Sequence, residues 1–196
     1  MSINKAEFIK SSSEFKQLPQ SELPEYAFIG RSNVGKSSLI NMLTNSTIAK
    51  TSKTPGKTKH INHFLINSSW LLADLPGYGY ASVSKKIRAQ WTPLIKDYLC
   101  NRDNLCCIML LIDSRLQAQA IDLEFLEFLG LNDLAFVIVF TKSDKLSTVS
   151  LNKNIASYKE VLSEQWEVLP DIFITSSKTK KGHADLLKFI ELTNNN

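Results

Sequence analysis

One short stretch of the chain has the residue types and spacing of a phosphate-binding loop. Residues 30–38 read G-R-S-N-V-G-K-S-S, which contains the pattern G-x-x-x-x-G-K-S. An apolar run at 26–29 precedes it and apolar residues at helical spacing follow it, so strand, loop and helix stand in the required order. A chance glycine turn before a helix is the alternative, and this order disfavours it. The stretch therefore predicts a binding site for nucleotide phosphates.

The chemistry predicted for this loop belongs to its backbone and to two side chains. Glycines at 30 and 35 let backbone amides close around phosphate oxygens, and the dipole of the following helix favours anions. We expect Lys36 to reach the terminal phosphates and the Ser37 hydroxyl to bind Mg²⁺. The residues predicted to contact the nucleotide here are Gly30, Arg31, Ser32, Asn33, Val34, Gly35, Lys36, Ser37 and Ser38.

A second motif, D-x-x-G, follows the apolar run at 70–73. It reads Asp74-Leu75-Pro76-Gly77. On its own this is a common turn, but at a strand end downstream of a phosphate-binding loop it indicates a second phosphate-contacting segment. We expect Asp74 to hold Mg²⁺ through water and the Gly77 amide to bond the γ-phosphate. Leu75 and Pro76 complete the predicted contact.

A strand-end loop carries the pattern of a guanine reader. Thr141-Lys142-Ser143-Asp144 follows the apolar run at 134–140 and resembles the N-K-x-D motif of GTPases, with threonine in place of asparagine. Asp144 can accept from both the N1–H and the exocyclic amine of guanine. Adenine lacks this donor pair, so the carboxylate would discriminate against ATP. The Lys142 stem can cover the face of the base.

A further loop is expected on the other side of the base. Thr175-Ser176-Ser177-Lys178 follows the short apolar run at 172–174. It resembles the S-A-K loop of GTPases, with serine in place of alanine. We expect its backbone amides to support the guanine.

The segment between the phosphate-binding loop and the D-x-x-G motif contains a Pro-Gly turn. It resembles the P-G-x-T switch of the bacterial GTPase branch that includes Era, EngA and TrmE. Thr58 is then the residue that completes the Mg²⁺ shell when the γ-phosphate is present; an ordinary threonine after a turn is the alternative. The residues predicted to contact nucleotide here are Gly56, Lys57, Thr58, Lys59 and His60.

The composition is that of one globular domain. The 196 residues are 43% hydrophobic and 21% charged. No apolar run approaches the roughly 18 residues of a membrane span, and the first residues lack an apolar signal core. The three cysteines form no C-x-x-C pair, which favours reduced residues in a reducing compartment. We therefore expect a cytoplasmic protein with no membrane partner.

Lysines concentrate in three stretches of predicted loop, and the net charge is +4. A solvated surface explains any one of them. Three such stretches around a nucleotide site favour a polyanionic partner such as RNA. Their basic residues are Lys50, Lys53, Lys57 and Lys59; Lys85, Lys86 and Arg88; and Lys178, Lys180 and Lys181.

Apolar runs alternate with helical patterns along the chain. The runs at 106–112, 134–140 and 172–174 lack polar alternation, which is typical of parallel strands covered on both faces. The runs at 64–66 and 70–73 flank a short turn and predict a hairpin. Helical spacing is found at 87–99, where Pro93 either kinks or begins the helix, at 121–129, at 155–166 and at 186–190.

These elements predict a three-layer α/β fold of the P-loop GTPase (Ras-like) class. Its sheet should have six mostly parallel strands, one of them an antiparallel edge strand, with helices on both faces. Residues 1–24 are expected to be an N-terminal extension with an edge strand at 6–10, and residues 25–196 a single GTP-binding domain. Nucleotide should bind at the carboxyl ends of the strands.

Taken together, the motifs resemble the EngB family, also called YihA or YsxC. The resemblance covers nearly the whole chain and includes Asp113-Ser114-Arg115 as well as the loops above; Thr141 is usual in this family. It implies a small cytoplasmic GTPase that acts in large ribosomal subunit assembly and is needed for normal cell division and septation. We expect the protein to bind the large subunit or its rRNA through the lysine-rich loops. Off the ribosome, we expect it to be a monomer.

The catalytic group expected from Ras-like enzymes is missing. They place a glutamine directly after the D-x-x-G glycine, where this chain has Tyr78. Arg31 and Arg115 are candidate arginine fingers. With Lys36, Thr58 and Gly77 as the predicted catalytic residues, we expect slow hydrolysis stimulated by a partner or by K⁺. Asn33 matches an asparagine that holds K⁺ in some related GTPases; selection for its turn conformation is the alternative.

Three functional classes follow from these motifs. The first is a GTPase switch, in which GTP orders loops that bind a partner. The second is a guanine-nucleotide-sensing module that binds RNA or the ribosome and hydrolyses GTP negligibly, a reading that the missing glutamine keeps open. The third, an ATP-dependent kinase, is disfavoured by Asp144.

Overall fold

The strands predicted from apolar runs assemble into one mixed sheet. The computed structural model describes residues 1–49, 60–79 and 93–195. Its seven strands lie in the order β1-β3-β4-β2-β5-β6-β7. They are β1 (Ala6–Ser12), β2 (Glu25–Gly30), β3 (Ile61–Ile66), β4 (Trp70–Asp74), β5 (Leu105–Asp113), β6 (Phe136–Thr141) and β7 (Ile172–Ile174).

Helices cover both faces of this sheet. The described helices are α1 (Lys36–Thr44), α2 (Pro93–Asn101), α3 (Ala120–Leu131), α4 (Thr148–Ser163) and α5 (His183–Asn194). Alternate residues of β2 enter the two cores, with Ala27 and Ile29 on one side and Tyr26 and Phe28 on the other. The first core lies against α2, α3 and α4, and the second against α1 and α5. The predicted three-layer α/β fold is confirmed.

Strand directions also follow the prediction. β2, β4, β5, β6 and β7 run parallel, and β3 pairs antiparallel with β4 through the predicted hairpin. Asn67 and Ser68 both adopt positive φ in its turn, at 50° and 55°. β1 then pairs antiparallel with β3 and becomes a seventh strand, so the N-terminal segment joins the sheet beyond the expected six strands.

One element boundary differs from the prediction, and another lies outside the described residues. Trp166 was expected in a helix, but α4 ends at Ser163. The Trp166 ring instead packs edge-on against Phe136 at 5.4 Å and lies over Gly130, where an added Cβ would be 2.5 Å from the ring. The helix predicted at 87–99 is described from Pro93, its first residue here, and residues up to 92 lie outside the described part.

The longest helix among residues 1–49, 60–79 and 93–195 is α4, with 16 residues. No helix in that part of the chain is long and apolar enough to cross a bilayer.

Candidate nucleotide-binding site

The phosphate-binding loop joins β2 to α1 at the carboxyl edge of the sheet. Gly30 ends β2, where an added Cβ would lie 2.6 Å from the Leu111 carbonyl oxygen. Gly35 adopts φ +107° and caps α1, which begins at Lys36. Both glycines are therefore required by geometry, and the amino end of α1 faces the loop, as an anion site requires.

Lys36 and Asp74 meet beneath this loop. Lys36 Nζ donates to Asp74 Oδ1, and the two residues are 8% and 3% exposed. The contact follows from the sheet, because β2 and β4 are parallel neighbours with Phe28 opposite Asp74. The lysine predicted for the terminal phosphates and the acid predicted for Mg²⁺ thus share one buried site. Ser37, partly exposed, follows Lys36 in the first turn of α1.

The segment after Asp74 lies along the phosphate-binding loop. Leu75 and Pro76 are buried. A Cβ added to Gly77 would be 3.2 Å from both the Gly30 carbonyl oxygen and the Ser32 amide nitrogen. Gly77 is thus packed directly on the loop backbone, the position from which its amide is expected to reach a γ-phosphate.

The base-reading loop is bonded to the phosphate-binding loop. Thr141 Oγ1 donates to the Val34 carbonyl oxygen at 2.6 Å, and Lys142 Nζ donates to the Asn33 carbonyl oxygen at 2.6 Å. Lys142 itself adopts the left-handed conformation, with φ 59°. The threonine that replaces the usual asparagine therefore has a defined role, since its hydroxyl joins β6 to the phosphate-binding loop.

Asp113, at the end of β5, holds Lys142, the lysine predicted to cover the base, from the other side. Its carboxylate accepts from Lys142 Nζ at 2.8 Å and from Arg115 Nε and Nη2 at 2.9 and 2.7 Å. Burial alone would raise the pKa of Asp113, but the bonds from Arg115 and Lys142 lower it to about 2. The carboxylate is therefore charged at neutral pH. The sequence indicated Asp113 only as part of a family pattern and Arg115 also as a candidate arginine finger; an acid at the end of a buried strand was the signal for this pair.

Asp144 is one of the residues that line an open cavity of about 720 Å³. Its Oδ1 accepts from Ser176 Oγ at 2.7 Å, and this bond is the main cause of its lowered pKa. Ser143 N donates to the Thr175 carbonyl oxygen at 3.1 Å, so the two predicted base loops are joined. The cavity is lined by residues of both loops and of α1: Gly35, Ser38, Asn41, Thr141, Lys142, Asp144, Ser177, Lys178 and Lys180, with neighbours of these.

Part of the predicted site falls outside the described residues. Gly56, Lys57, Thr58 and Lys59 lie there, while His60 is exposed directly before β3. Of the three lysine-rich stretches, the third is described, and Lys178, Lys180 and Lys181 are all exposed. Lys180 Nζ donates to Asn45 Oδ1 at 3.2 Å beside the cavity.

Tyr78 and Asp122 form a buried pair that sequence patterns did not indicate. The Tyr78 hydroxyl donates to Asp122 Oδ1 at 2.9 Å, and Asp122 belongs to the first turn of α3. A tyrosine whose hydroxyl is bonded to α3 does not position a water as glutamine does. No motif marks Asp122, so its role follows only from the fold.

The arrangement as a whole suits a purine nucleotide. A carboxylate that lines a cavity can accept hydrogen bonds from the base. A glycine loop at a helix amino end can bind phosphates, and a buried lysine–aspartate pair lies beneath it. These parts belong to one continuous edge of the sheet.

Comparisons with known proteins agree with this geometry. A family model described as "50S ribosome-binding GTPase" matches residues 25–142. The chain is 53% identical to the "Probable GTP-binding protein EngB" of Christiangramia forsetii, over 100% of this chain and 99% of that protein. It is 54% identical to the protein of the same name from Bacteroides fragilis, over 99% of this chain and 97% of the relative.

Solved structures extend the comparison. A crystal structure of a probable GTP-binding protein engB aligns with TM-score 0.66 at 25% identity, over 87% of this chain and 98% of that chain. The fold alone is shared with Era from Aquifex aeolicus, crystallised with GDP and AlF4⁻, at TM-score 0.66 and 22% identity. That alignment covers 87% of this chain and 56% of the Era chain.

Proposed function

Because the chain belongs to the EngB family of GTP-binding proteins, a family of GTPases, we propose that it is a nucleotide-dependent switch in large ribosomal subunit assembly. In this proposal it binds GTP, engages the subunit, hydrolyses GTP slowly and releases its partner. One observation carries the nucleotide part. The loop that presents Asp144 is bonded to the phosphate-binding loop through Thr141 and Lys142, so base and phosphate sites form one unit.

Guanine selection is assigned to Asp144. Its carboxylate is held by Ser176 in the lining of the cavity and is therefore directed before a base arrives. The Lys142 stem beside it would cover the base, and the backbone of Thr175-Ser176-Ser177 would support it. Because adenine lacks the two donors that this carboxylate accepts, GTP would be preferred over ATP.

The residues for Mg²⁺ fit the ion by chemistry. Hydroxyl and carboxylate oxygens are its preferred ligands, and Ser37 and Asp74 supply one of each at the same edge of the sheet. Thr58 would supply a third. When bound, Mg²⁺ offsets negative charge on the β- and γ-phosphates. Lys36, which is buried, would offset the same negative charge.

The proposal of slow turnover is supported by the residue that follows Gly77. Tyr78 has its hydroxyl on Asp122 and offers no group to orient the attacking water. Arg115 is bound to Asp113, and Arg31 lies in the phosphate-binding loop. A partner or a monovalent cation would then raise the rate.

Asn33 bears on the cation. It adopts φ 64°, a conformation that asparagine tolerates better than most residues, which supports a conformational reason for its presence. K⁺ binding by Asn33 remains part of the proposal. Equal turnover in KCl and NaCl would remove it.

The ribosomal part of the proposal is supported by the matching family description and by charge. Lys178, Lys180 and Lys181 are exposed beside the cavity that would hold the base, so a bound polyanion would lie next to the nucleotide. A cytoplasmic location, a monomeric state off the ribosome and a contribution to normal cell division and septation belong to the same proposal.

The test combines base specificity with partner binding. Purified large subunits are sedimented with the chain in GDP, in a non-hydrolysable GTP analogue and without nucleotide; retention should depend on the GTP analogue. In Asp144→Asn, retention should instead follow the xanthosine analogue, whose extra carbonyl replaces the exocyclic amine. Retention that ignores nucleotide would contradict the switch, and an unchanged guanine preference would contradict the assignment of Asp144.

The alternative is a module that senses guanine nucleotide, binds RNA or the ribosome and hydrolyses GTP negligibly. Tyr78 in the position of the glutamine favours it. Single-turnover hydrolysis with assembled large subunits separates the two. No phosphate release above the uncatalysed rate would support the module.

A further inference from the structure

Tyr78 is attached to the phosphate-binding loop through its backbone. Ser32 N donates to the Tyr78 carbonyl oxygen at 3.1 Å, and Tyr78 N donates to the Gly30 carbonyl oxygen at 3.2 Å. These bonds form a short parallel bridge between Arg31 and Tyr78. The position of Tyr78 therefore fixes the preceding residue, Gly77, against the same backbone.

The side chain of Tyr78 is attached to a different element. Its hydroxyl donates to Asp122 Oδ1 at 2.9 Å, and its ring stacks on Phe125 of α3 with centroids 4.9 Å apart. Tyr78 is 6% exposed and Asp122 3% exposed. One residue thus joins the phosphate-binding loop to α3.

Asp122 is costly to bury, which argues against a role in packing alone. Burial raises its pKa to about 6, although the Tyr78 hydroxyl and the charge of Arg31 act in the opposite direction. Arg31 and Asp122 line the same cavity of about 210 Å³, and Arg31 Nη1 is buried without a hydrogen bond among the described residues. An apolar residue would fill this place in α3 at lower electrostatic cost.

We propose that Asp122 is a positioning residue for recognition of the γ-phosphate. By holding the Tyr78 hydroxyl, it keeps Gly77 on the phosphate-binding loop, where the Gly77 amide can meet a third phosphate. The Tyr78–Asp122 bond would then favour GTP over GDP. This inference rests on the proposed function, since it assumes that the site binds guanine nucleotides.

The physical argument is preorganisation. A segment already held in its binding position loses less conformational entropy when the ligand arrives. GDP lacks the γ-phosphate and makes no use of the Gly77 amide, so the bond would leave GDP affinity unaffected. A structural role alone would change the stability of the fold without changing the ratio of the two affinities.

The experiment measures GDP and a non-hydrolysable GTP analogue by calorimetry in the full chain and in Tyr78→Phe, which keeps the ring and removes the hydroxyl. The ratio of GTP-analogue to GDP affinity should fall roughly fivefold or more, the lower end of typical coupling between sites. GDP affinity should stay within about twofold, because its contacts are untouched. An unchanged ratio would overturn the proposal.

Tyr98→Phe is the matched control. Tyr98 is also a buried tyrosine whose hydroxyl donates to a buried carboxylate, Glu25 Oε1 at 2.5 Å, but it lies at the opposite edge of the sheet. It should lower the free energy of unfolding and leave the affinity ratio unchanged. If it shifts the ratio as Tyr78→Phe does, the effect is general destabilisation and the proposal is wrong.

A double-mutant cycle identifies Asp122 as the partner. Asp122→Leu should repeat the effect of Tyr78→Phe, and the double variant should show no further loss, because both changes remove one bond. Additive losses would contradict a shared bond. Failure of the unaltered chain to bind either nucleotide would instead refute the proposed function, which keeps the two failures distinct.

Discussion

Two buried carboxylates lie at opposite ends of the sheet's central strands. Their pKa values are shifted in the same direction, but their surroundings differ. Glu25 begins β2, and Asp113 ends β5. Burial would raise the pKa of each, yet partners lower both to about 2. Each accepts two bonds from one arginine, Glu25 from Arg102 at 3.0 and 2.8 Å and Asp113 from Arg115 at 2.9 and 2.7 Å.

Their remaining partners differ. Glu25 also accepts from the Tyr98 hydroxyl and lies 3.4 Å from His63 Nε2, and all of these groups belong to the protein interior. Asp113 instead shares Lys142, whose Nζ also donates to the phosphate-binding loop. Arg102 is 10% exposed and Arg115 45% exposed at the side chain. The closed cluster joins strands and α2, and the open one orients a lysine at the nucleotide site.

The comparison predicts that the largest loss of stability will come from a change in the closed cluster around Glu25. Arg102→Ala leaves Glu25 buried without the arginine that donates two hydrogen bonds to it, and this should lower the free energy of unfolding by roughly 3–5 kcal/mol. GDP affinity of the folded fraction should not change, since no group at the nucleotide site is touched. Urea unfolding and calorimetry measure the two. A loss of nucleotide affinity at constant stability would contradict the division between the two clusters.

Asp113→Ala should show the reverse pattern, with a smaller effect. Lys142 loses its anionic partner, so GDP affinity should fall roughly tenfold, as expected for a charge-assisted hydrogen bond. Stability should change by less than in Arg102→Ala, because Arg115 can turn to solvent. Arg115→Ala is the control. Because Arg115 is an exposed partner, its removal should lower the free energy of unfolding by about 1 kcal/mol or less. Equal affinity in all three proteins would refute the role of Asp113.

The smallest expected effect is on the pH dependence of stability, in which Asp122 differs from both Glu25 and Asp113. Glu25 and Asp113 have folded pKa values below their ordinary 4.5 and 3.8. Their contribution is therefore complete above about pH 4.5 and is lost as the pH falls toward 2. Asp122 has the opposite sign. Its pKa rises from 3.8 to about 6, so its ionisation lowers stability as the pH rises between those values.

Asp122→Asn should remove that term. Between pH 4 and 6 the variant should gain stability relative to the unaltered chain, by roughly 1–2 kcal/mol over the interval. Urea midpoints at several pH values measure it. Parallel curves for the two proteins would show that the carboxyl group titrates normally, and the contrast with Glu25 and Asp113 would then fail.

Local patterns predicted most of the fold. Runs such as 106–112 must be strands covered on both faces, and helical spacing located the helix that is described from Pro93 onward. Trp166 was misplaced because its ring packs across to Gly130, a contact between distant residues. The loops proposed to bind phosphate and base could be located from the sequence because each is a contiguous motif at a strand end.

Pairings across the sheet could not be predicted in the same way. Glu25 with Arg102, and Tyr78 with Asp122, depend on which strand and helix become neighbours. Asp122 lies at a position that helical spacing gives no reason to single out. Such residues become visible only when strand order and helix placement are fixed.

The bonds from Thr141 and Lys142 to the phosphate-binding loop have a consequence for exchange. Both come from protein groups and use none of the atoms of the ligand. These two bonds would therefore hold the loop in the same shape when one nucleotide departs and before the next arrives. Nucleotide exchange would then begin from an assembled pocket. The rate of exchange would be set by the dissociation of one nucleotide and the binding of the next.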